Sequence, residues 1–201
     1  MTSKKLLGGI IIALGILLLG LLWFPYPKIG GEKTNTPSFV EDILPKQAQQ
    51  EEPSTIGLPS RLKIPSIGVD AHVEHVQTDA AGRMDVPKNS DNVAWYTPGY
   101  APGQTGSAVI SGHLDRRGGG RAVFWDLEKI KAGDELIVID TEGNELKFKV
   151  TRTQIYNDKD FPLHEVFNQH GTPYLNLITC EGNFINGAYD KRLVVFSEMI
   201  E

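Results

Sequence analysis

Residues 135–156 have the sequence ELIVIDTEGNELKFKVTRTQIY, and this stretch decides the fold class. In its second half Leu146, Phe148 and Val150 alternate with polar residues, as in a strand that has one face in a core and the other in water. Residues 140–144, DTEGN, have the composition of a hairpin turn. The stretch therefore predicts an antiparallel β-hairpin.

Further strands are predicted on both sides of this hairpin, because short apolar segments separated by Gly, Pro, Asn and Asp continue from about residue 57 to the end of the chain. The predicted strands are 62–64, 69–77, 107–112, 135–140, 145–156, 174–180 and 192–199. Only residues 123–130 and 162–169 have the spacing or the proline that favours a short helix. Seven or eight strands with little helix predict an all-β domain, either a closed barrel or a sandwich.

The N-terminal part of the chain predicts a membrane anchor. Residues 6–24 are nineteen residues without a polar side chain, and a helix of that length spans roughly 28 Å of a hydrocarbon core of about 30 Å. Lys4 and Lys5 precede the segment, which places the N-terminus in the cytoplasm and the rest of the chain outside. A cleaved signal peptide is the alternative, but Pro25-Tyr26-Pro27 follows in place of a small-residue cleavage site.

Three regions follow from this pattern. Residues 1–28 form a cytoplasmic tip with a transmembrane anchor, residues 29–56 a Pro-rich polar linker, and residues 57–201 the folded domain. The net charge of -5 and the lack of a long Lys or Arg run predict no nucleic-acid partner. A single cysteine excludes an internal disulfide and a multi-thiolate metal site, and we expect no metal.

Three residues lie at the ends of predicted strands, where barrels and sandwiches carry their sites. Cys180 ends the strand 174–180 and is either a functional thiol or a small buried apolar residue. His113 follows the strand 107–112, and an imidazole there could protonate a departing amine. Arg192 opens the last predicted strand and could stabilise an oxyanion. Asp115 could orient the histidine ring.

Several segments, taken in their order along the chain, resemble those of sortases. The similarity spans essentially all of residues 57–201 and is greatest to sortases of classes E and F. Its most specific elements are the Gly-His pair that closes one strand and the Thr-Cys pair that closes a later one. The segments are 62–70 (LKIPSIGVD), 93–96 (VAWY), 102–113 (PGQTGSAVISGH), 122–125 (AVFW), 133–135 (GDE), 177–180 (LITC) and 192–196 (RLVVF).

This resemblance implies a closed eight-stranded β-barrel with short helices and an active site in a groove at its rim. It also implies cleavage of a Leu-Pro-x-Thr-Gly-like sorting signal after Thr. In that chemistry Cys180 is the nucleophile that forms a thioacyl intermediate, and His113 is the general acid and then the base. Arg192 holds the substrate and its oxyanion. No metal or organic cofactor is implied.

The resemblance further implies the partners of the chain. These are proteins with an LPxTG-like signal and an amine acceptor such as a cell-wall peptide, and the resemblance suggests a Gram-positive source. The lipid bilayer, bound through residues 6–24, is predicted from the apolar segment itself. We also expect Asp115, Thr179 and Glu181 beside the substrate, where the acid of Glu181 would disfavour the neighbouring thiolate or alter substrate choice.

Other functions remain open from the sequence. A tethered cell-wall or peptide-binding module would keep the barrel without turnover, and a simple cysteine hydrolase would resolve the thioester with water. An L,D-transpeptidase is disfavoured, because that family carries its His and Cys close together and here His113 and Cys180 are 67 positions apart.

Overall fold

The computed structural model describes residues 56–185 and 187–200. One α-helix, α1 (Leu163–Phe167), and three single-turn 3-10 helices (Pro65–Ile67, Leu127–Lys129 and Asp158–Asp160) accompany the strands. The eight strands are β1 (Pro59–Ile64), β2 (Val69–Val76), β3 (Val93–Tyr96), β4 (Gly106–Gly112), β5 (Glu135–Asp140), β6 (Glu145–Asn157), β7 (Pro173–Ile185) and β8 (Ala188–Met199).

The strands close into one barrel in the order β1-β2-β3-β4-β7-β8-β6-β5. The pairs β2·β3 and β4·β7 are parallel, and the other pairs are antiparallel. The prediction of a closed eight-stranded barrel is therefore confirmed, and the sandwich is excluded. The hydrophobic periodicity of the sequence does not predict β3, because Val93, Ala94 and Trp95 are all buried and show no alternation with polar residues.

Side chains from alternate strand positions fill the barrel. Leu146, Phe148 and Val150 of β6 face inward as predicted, and Phe148 is fully buried. Fully burying a side chain of this size stabilises the fold by roughly 1.5–3 kcal/mol. Phe124 and Leu127 also enter this core, but the predicted helix 123–130 is reduced to the single turn Leu127–Lys129.

A second, smaller apolar cluster lies on the outer face of the sheet. It joins Val109 of β4, Val166 of α1, and Val194 and Phe196 of β8. The side-chain amide of Asn176 on β7 donates a hydrogen bond to the Val166 carbonyl at 2.7 Å, which fixes α1 against the sheet. The short helix predicted within 162–169 is thus present, and it covers the outer face beside the end of β7.

The hairpin of β7 and β8 is longer than the sequence predicted. Cys180 does not end its strand and Arg192 does not open its strand, since β7 continues to Ile185 and β8 begins at Ala188. This extension contains many polar residues, so the hydrophobic periodicity did not predict it. Its two strands pair with each other and thereby satisfy their backbone hydrogen-bonding groups. A register shift between Glu181 and Phe184 marks a bulge directly after Glu181, the residue that follows Cys180.

The predicted anchor and the linker up to residue 55 lie outside the described residues. Within residues 56–185 and 187–200, no helix combines the length and the apolar character needed to cross a bilayer.

Candidate active site

Strand register brings the three predicted catalytic residues to one place. In the parallel pair β4·β7, Val109 lies opposite Asn176 and Ser111 opposite Ile178, so His113 continues this register toward Cys180. On the other side of β7, Cys180 is the direct partner of Arg192. Because side chains two residues apart share a face, all three belong to the face that carries the outer apolar cluster.

The thiol of Cys180 is half-buried at this junction. Burial raises its pKa, and the carboxylates of Asp115 and Asp158 add to that effect, whereas the guanidinium of Arg192 lowers the pKa. The net pKa lies above the ordinary thiol value. The thiol is therefore mainly protonated near neutral pH, and the nucleophilic thiolate is a minor form.

The ring of His113 is held by a backbone carbonyl. Its Nε2 lies 2.8 Å from the oxygen of Pro87, and since a carbonyl can only accept a hydrogen bond, Nε2 carries the proton. Nδ1 remains as the nitrogen that can exchange a proton with a reactant. Asp115 accepts a hydrogen bond from the Tyr189 hydroxyl at 2.7 Å, and an orienting role of Asp115 on the His113 ring stays a prediction.

The backbone beside His113 is fixed by close packing. The amide of Phe124 donates to the His113 carbonyl at 3.0 Å. A Cβ on Gly112 would lie 2.5 Å from the Phe124 ring, far inside contact distance. Gly112 therefore lets the end of β4 pack directly on Phe124, and this packing sets the position from which His113 projects.

The guanidinium of Arg192 is held in place by two backbone carbonyls and the carboxylate of Asp158. Its Nη1 lies 3.1 Å from a carboxylate oxygen of Asp158 and donates to the carbonyls of Tyr189 at 3.0 Å and Lys191 at 2.7 Å. Its side chain is 28% exposed, so the charge is ordered and still open to a ligand. Asp158 could not be predicted from the sequence, since no pattern links it to an arginine 34 residues later.

The remaining predicted site residues occupy different positions. Thr179 is 2% exposed, and its hydroxyl donates to the Gly112 carbonyl at 2.9 Å, so it faces the barrel interior and ties β7 to β4. Glu181 lies beside the thiol in sequence, and its carboxylate accepts a hydrogen bond from the Gly182 amide at 3.0 Å. Of the three expected substrate neighbours, Asp115 is the one whose charge acts on the thiol.

A groove opens beside Arg192. It has a volume of about 560 Å³ and lies between residues 157–159 on one side and residues 188–190 on the other, with Ile185 at its edge. Both Asp158 and Tyr189, which hold the guanidinium, line it. Within the described part of the chain, no group of three or more His, Cys, Asp or Glu side chains is placed to hold a metal ion.

Comparison with known proteins agrees with this architecture. Sortase A from Corynebacterium diphtheriae is similar with a TM-score of 0.56 at 22% identity over 73% of this chain and 62% of that chain. Sortase C-1 from Actinomyces oris has a TM-score of 0.56 at 24% identity over 71% of each chain. A sortase C2 of Group B Streptococcus has a TM-score of 0.55 at 26% identity over 70% and 73%. A sequence comparison with curated proteins gives no match.

The family comparison covers most of the folded domain. The family model described as "Sortase domain" matches residues 62–200, from the middle of β1 to the end of the described chain. That range includes the second half of β1, the other seven strands of the closed barrel and the junction of β4, β7 and β8. The chain therefore belongs to the sortase family, whose members are cysteine transpeptidases.

Proposed function

We propose that this chain cleaves an LPxTG-like sorting signal through a thioacyl intermediate on Cys180 and transfers the acyl group to an amine. The observation that carries the proposal is the strand register: Cys180 is the direct partner of Arg192, and β4, which runs parallel to β7, ends one residue before His113. The groove lined by Asp158 and Tyr189, the two residues that hold the Arg192 guanidinium, would provide room for part of a peptide substrate.

The first half of the reaction forms the thioester. The Cys180 thiolate attacks the carbonyl carbon of the scissile peptide bond, and the carbonyl becomes an oxyanion that the Arg192 guanidinium stabilises. The carbon–nitrogen bond then breaks as protonated His113 gives the proton on Nδ1 to the departing amine. The acyl group is left on the sulfur, and His113 is left neutral with its proton on Nε2.

The second half regenerates the enzyme. An incoming amine attacks the thioester, and neutral His113 accepts the amine proton on Nδ1. The carbon–sulfur bond breaks, the thiolate leaves, and a new amide forms. Because the Cys180 pKa is raised, few molecules hold thiolate and imidazolium together at neutral pH, and we expect slow turnover.

The proposed location follows from the sequence outside the described residues. Residues 6–24 would anchor the chain as a single-pass membrane protein with a cytoplasmic N-terminus, and the barrel would act outside a Gram-positive cell. A cell-wall peptide would then be the acceptor, so that cleaved proteins become attached to the wall. The assignment to classes E and F stays a prediction.

Product analysis tests this function against its nearest rivals. The full chain in detergent is incubated with LPxTG-like peptides, with and without triglycine as acceptor, and products are identified by mass spectrometry. We expect a triglycine adduct at the threonine carbonyl, absent in Cys180→Ala. Cleavage by water alone, unchanged by triglycine, would support a hydrolase. Peptide binding without any cleavage would support the binding module.

A further inference from the structure

The residue that holds His113 belongs to a segment between β2 and β3. We call residues 87–92 the strap. Its first residue, Pro87, places its carbonyl oxygen 2.8 Å from Nε2 of His113. The position of this one oxygen determines which ring nitrogen carries the proton and in which direction the other nitrogen points.

One carboxylate holds the strap next to Pro87. Glu74 of β2 accepts hydrogen bonds from the amide of Lys88 at 2.8 Å, the amide of Asn89 at 3.1 Å and the side-chain amide of Asn92 at 2.9 Å. Burial opposes the charge, but these bonds outweigh it, and the pKa of Glu74 lies below its usual value. Glu74 is therefore ionised whenever the enzyme would be active.

The rest of the strap is held by the segment that follows β4. Arg116, in the loop after β4, forms an ion pair with Asp91, and the amide of Val123 donates to the Ser90 carbonyl at 2.9 Å. These contacts fix the second half of the strap. Glu74 holds the half that carries Pro87 through bonds to Lys88 and Asn89, which begin at the very next residue, and the amides of Asp91 and Asn92 also donate to Asn89.

We propose that Glu74 is a positioning residue for His113. By holding the amides of Lys88 and Asn89, it fixes the Pro87 carbonyl, which keeps the proton of neutral His113 on Nε2 and leaves Nδ1 for proton transfer. Glu74 acts through the strap and touches neither the thiol nor the substrate. The catalytic consequence rests on the role proposed for His113, whereas the effect on the ring does not.

The test compares Glu74→Gln with Asp70→Asn in the full chain. A glutamine side chain has nearly the same shape as glutamate, but its NH2 group cannot accept a hydrogen bond from an amide. At least one donor of the strap therefore loses its acceptor. Asp70 is on the same strand and pairs with Arg61 away from the strap, so its variant removes the same charge as a control. The primary readout is the ¹⁵N NMR shifts of the His113 ring at a pH where the ring is neutral.

We expect a predominantly Nε2–H ring in the native chain and in Asp70→Asn, and a mixture of both tautomers in Glu74→Gln. A positioned general acid contributes roughly 10²–10⁴-fold to the rate, so kcat of Glu74→Gln should fall by at least about tenfold while KM for the peptide changes little. Ring shifts and kcat equal to those of the native chain would overturn the proposal.

The native chain alone keeps the proposal testable if Glu74→Gln does not fold. A neutral His113 ring that is mainly Nδ1–H in the native protein would overturn it without any variant. If the ring changes as expected in Glu74→Gln but the native chain transfers no peptide, the positioning role stands and the proposed function fails.

Discussion

At Cys180, opposing charges determine how much thiolate the enzyme holds. Burial and the carboxylates of Asp115 and Asp158 raise the thiol pKa, and Arg192 is the cation that lowers it. Arg192 is in turn paired with Asp158, so one carboxylate both orders the guanidinium and opposes its effect on the sulfur. Substitutions at Arg192 and Asp158 separate these two effects.

Replacing Arg192 by alanine should slow both alkylation and catalysis. Without the guanidinium the pKa of Cys180 rises further, so the rate of iodoacetamide alkylation at neutral pH falls. Loss of an oxyanion donor should also lower kcat by roughly 10²–10³-fold. Arg61→Ala is the control, since Arg61 pairs with Asp70 on β2. An unchanged pH profile of alkylation would show that Arg192 does not act on the thiol.

Replacing Asp158 by asparagine should move two readouts in opposite directions. The pKa of Cys180 falls because a nearby negative charge is removed, so alkylation at neutral pH becomes faster. Peptide transfer becomes slower, because the Arg192 guanidinium loses the carboxylate that orders it. Asp160→Asn, in the same turn, is the matched control. A parallel rise of both rates would contradict the ordering role of Asp158.

The bond between Tyr189 and Asp115 predicts a pH effect on the fold. It is the main cause that raises the pKa of Tyr189 to about 12. Because the folded pKa is above the unfolded value of about 10, this stabilisation is complete below pH 10 and is lost as the pH rises through 12. Ultraviolet titration should show a late tyrosine transition that Tyr189→Phe removes. If Tyr189→Phe instead removed one tyrosine from the transition near pH 10, that result would contradict the bond.

At the scale of elements, the site depends on how β4 and the β7·β8 hairpin end. The sequence predicted the two apolar segments that deliver His113 and Cys180, because strands with buried residues have a visible pattern. It did not predict the polar extension of the hairpin to Ile185 and Ala188, since cross-strand pairing leaves no periodic trace there. The bulge after Glu181 likewise follows from the pairing of two strands.

Adding one methyl group at the end of β4 should destabilise the barrel. In Gly112→Ala the new Cβ would overlap the Phe124 ring, and overpacking of this kind costs about 1–3 kcal/mol. The comparison is Gly99→Ala, whose Cβ would lie 3.4 Å from its nearest neighbour. Urea unfolding measures both. Equal free energies of unfolding for Gly112→Ala and the native chain would show that the packing on Phe124 is loose.

Across the whole molecule, the barrel could be predicted from the sequence, but the contacts that hold the proposed catalytic residues could not. The sequence proposed Cys180 and His113 from the ends of predicted strands and from the resemblance to sortases, although β7 continues past Cys180. Pro87 contacts His113 across 26 residues, and Asp158 contacts Arg192 across 34. Such contacts depend on how loops return across a closed barrel, which no local pattern encodes. The positions that support the catalytic residues therefore emerged only with the fold.

The proposed function requires that Cys180 forms an acyl-enzyme with a sorting-signal peptide. Intact-protein mass spectrometry of the full chain in detergent, after incubation with a pooled library of LPxTG-like peptides, tests it most directly. We predict an added mass equal to the peptide fragment up to its threonine, present in the native chain and absent in Cys180→Ala. A folded native chain that cleaves these peptides without any Cys180-dependent adduct, or an adduct that persists in Cys180→Ala, would contradict the claim.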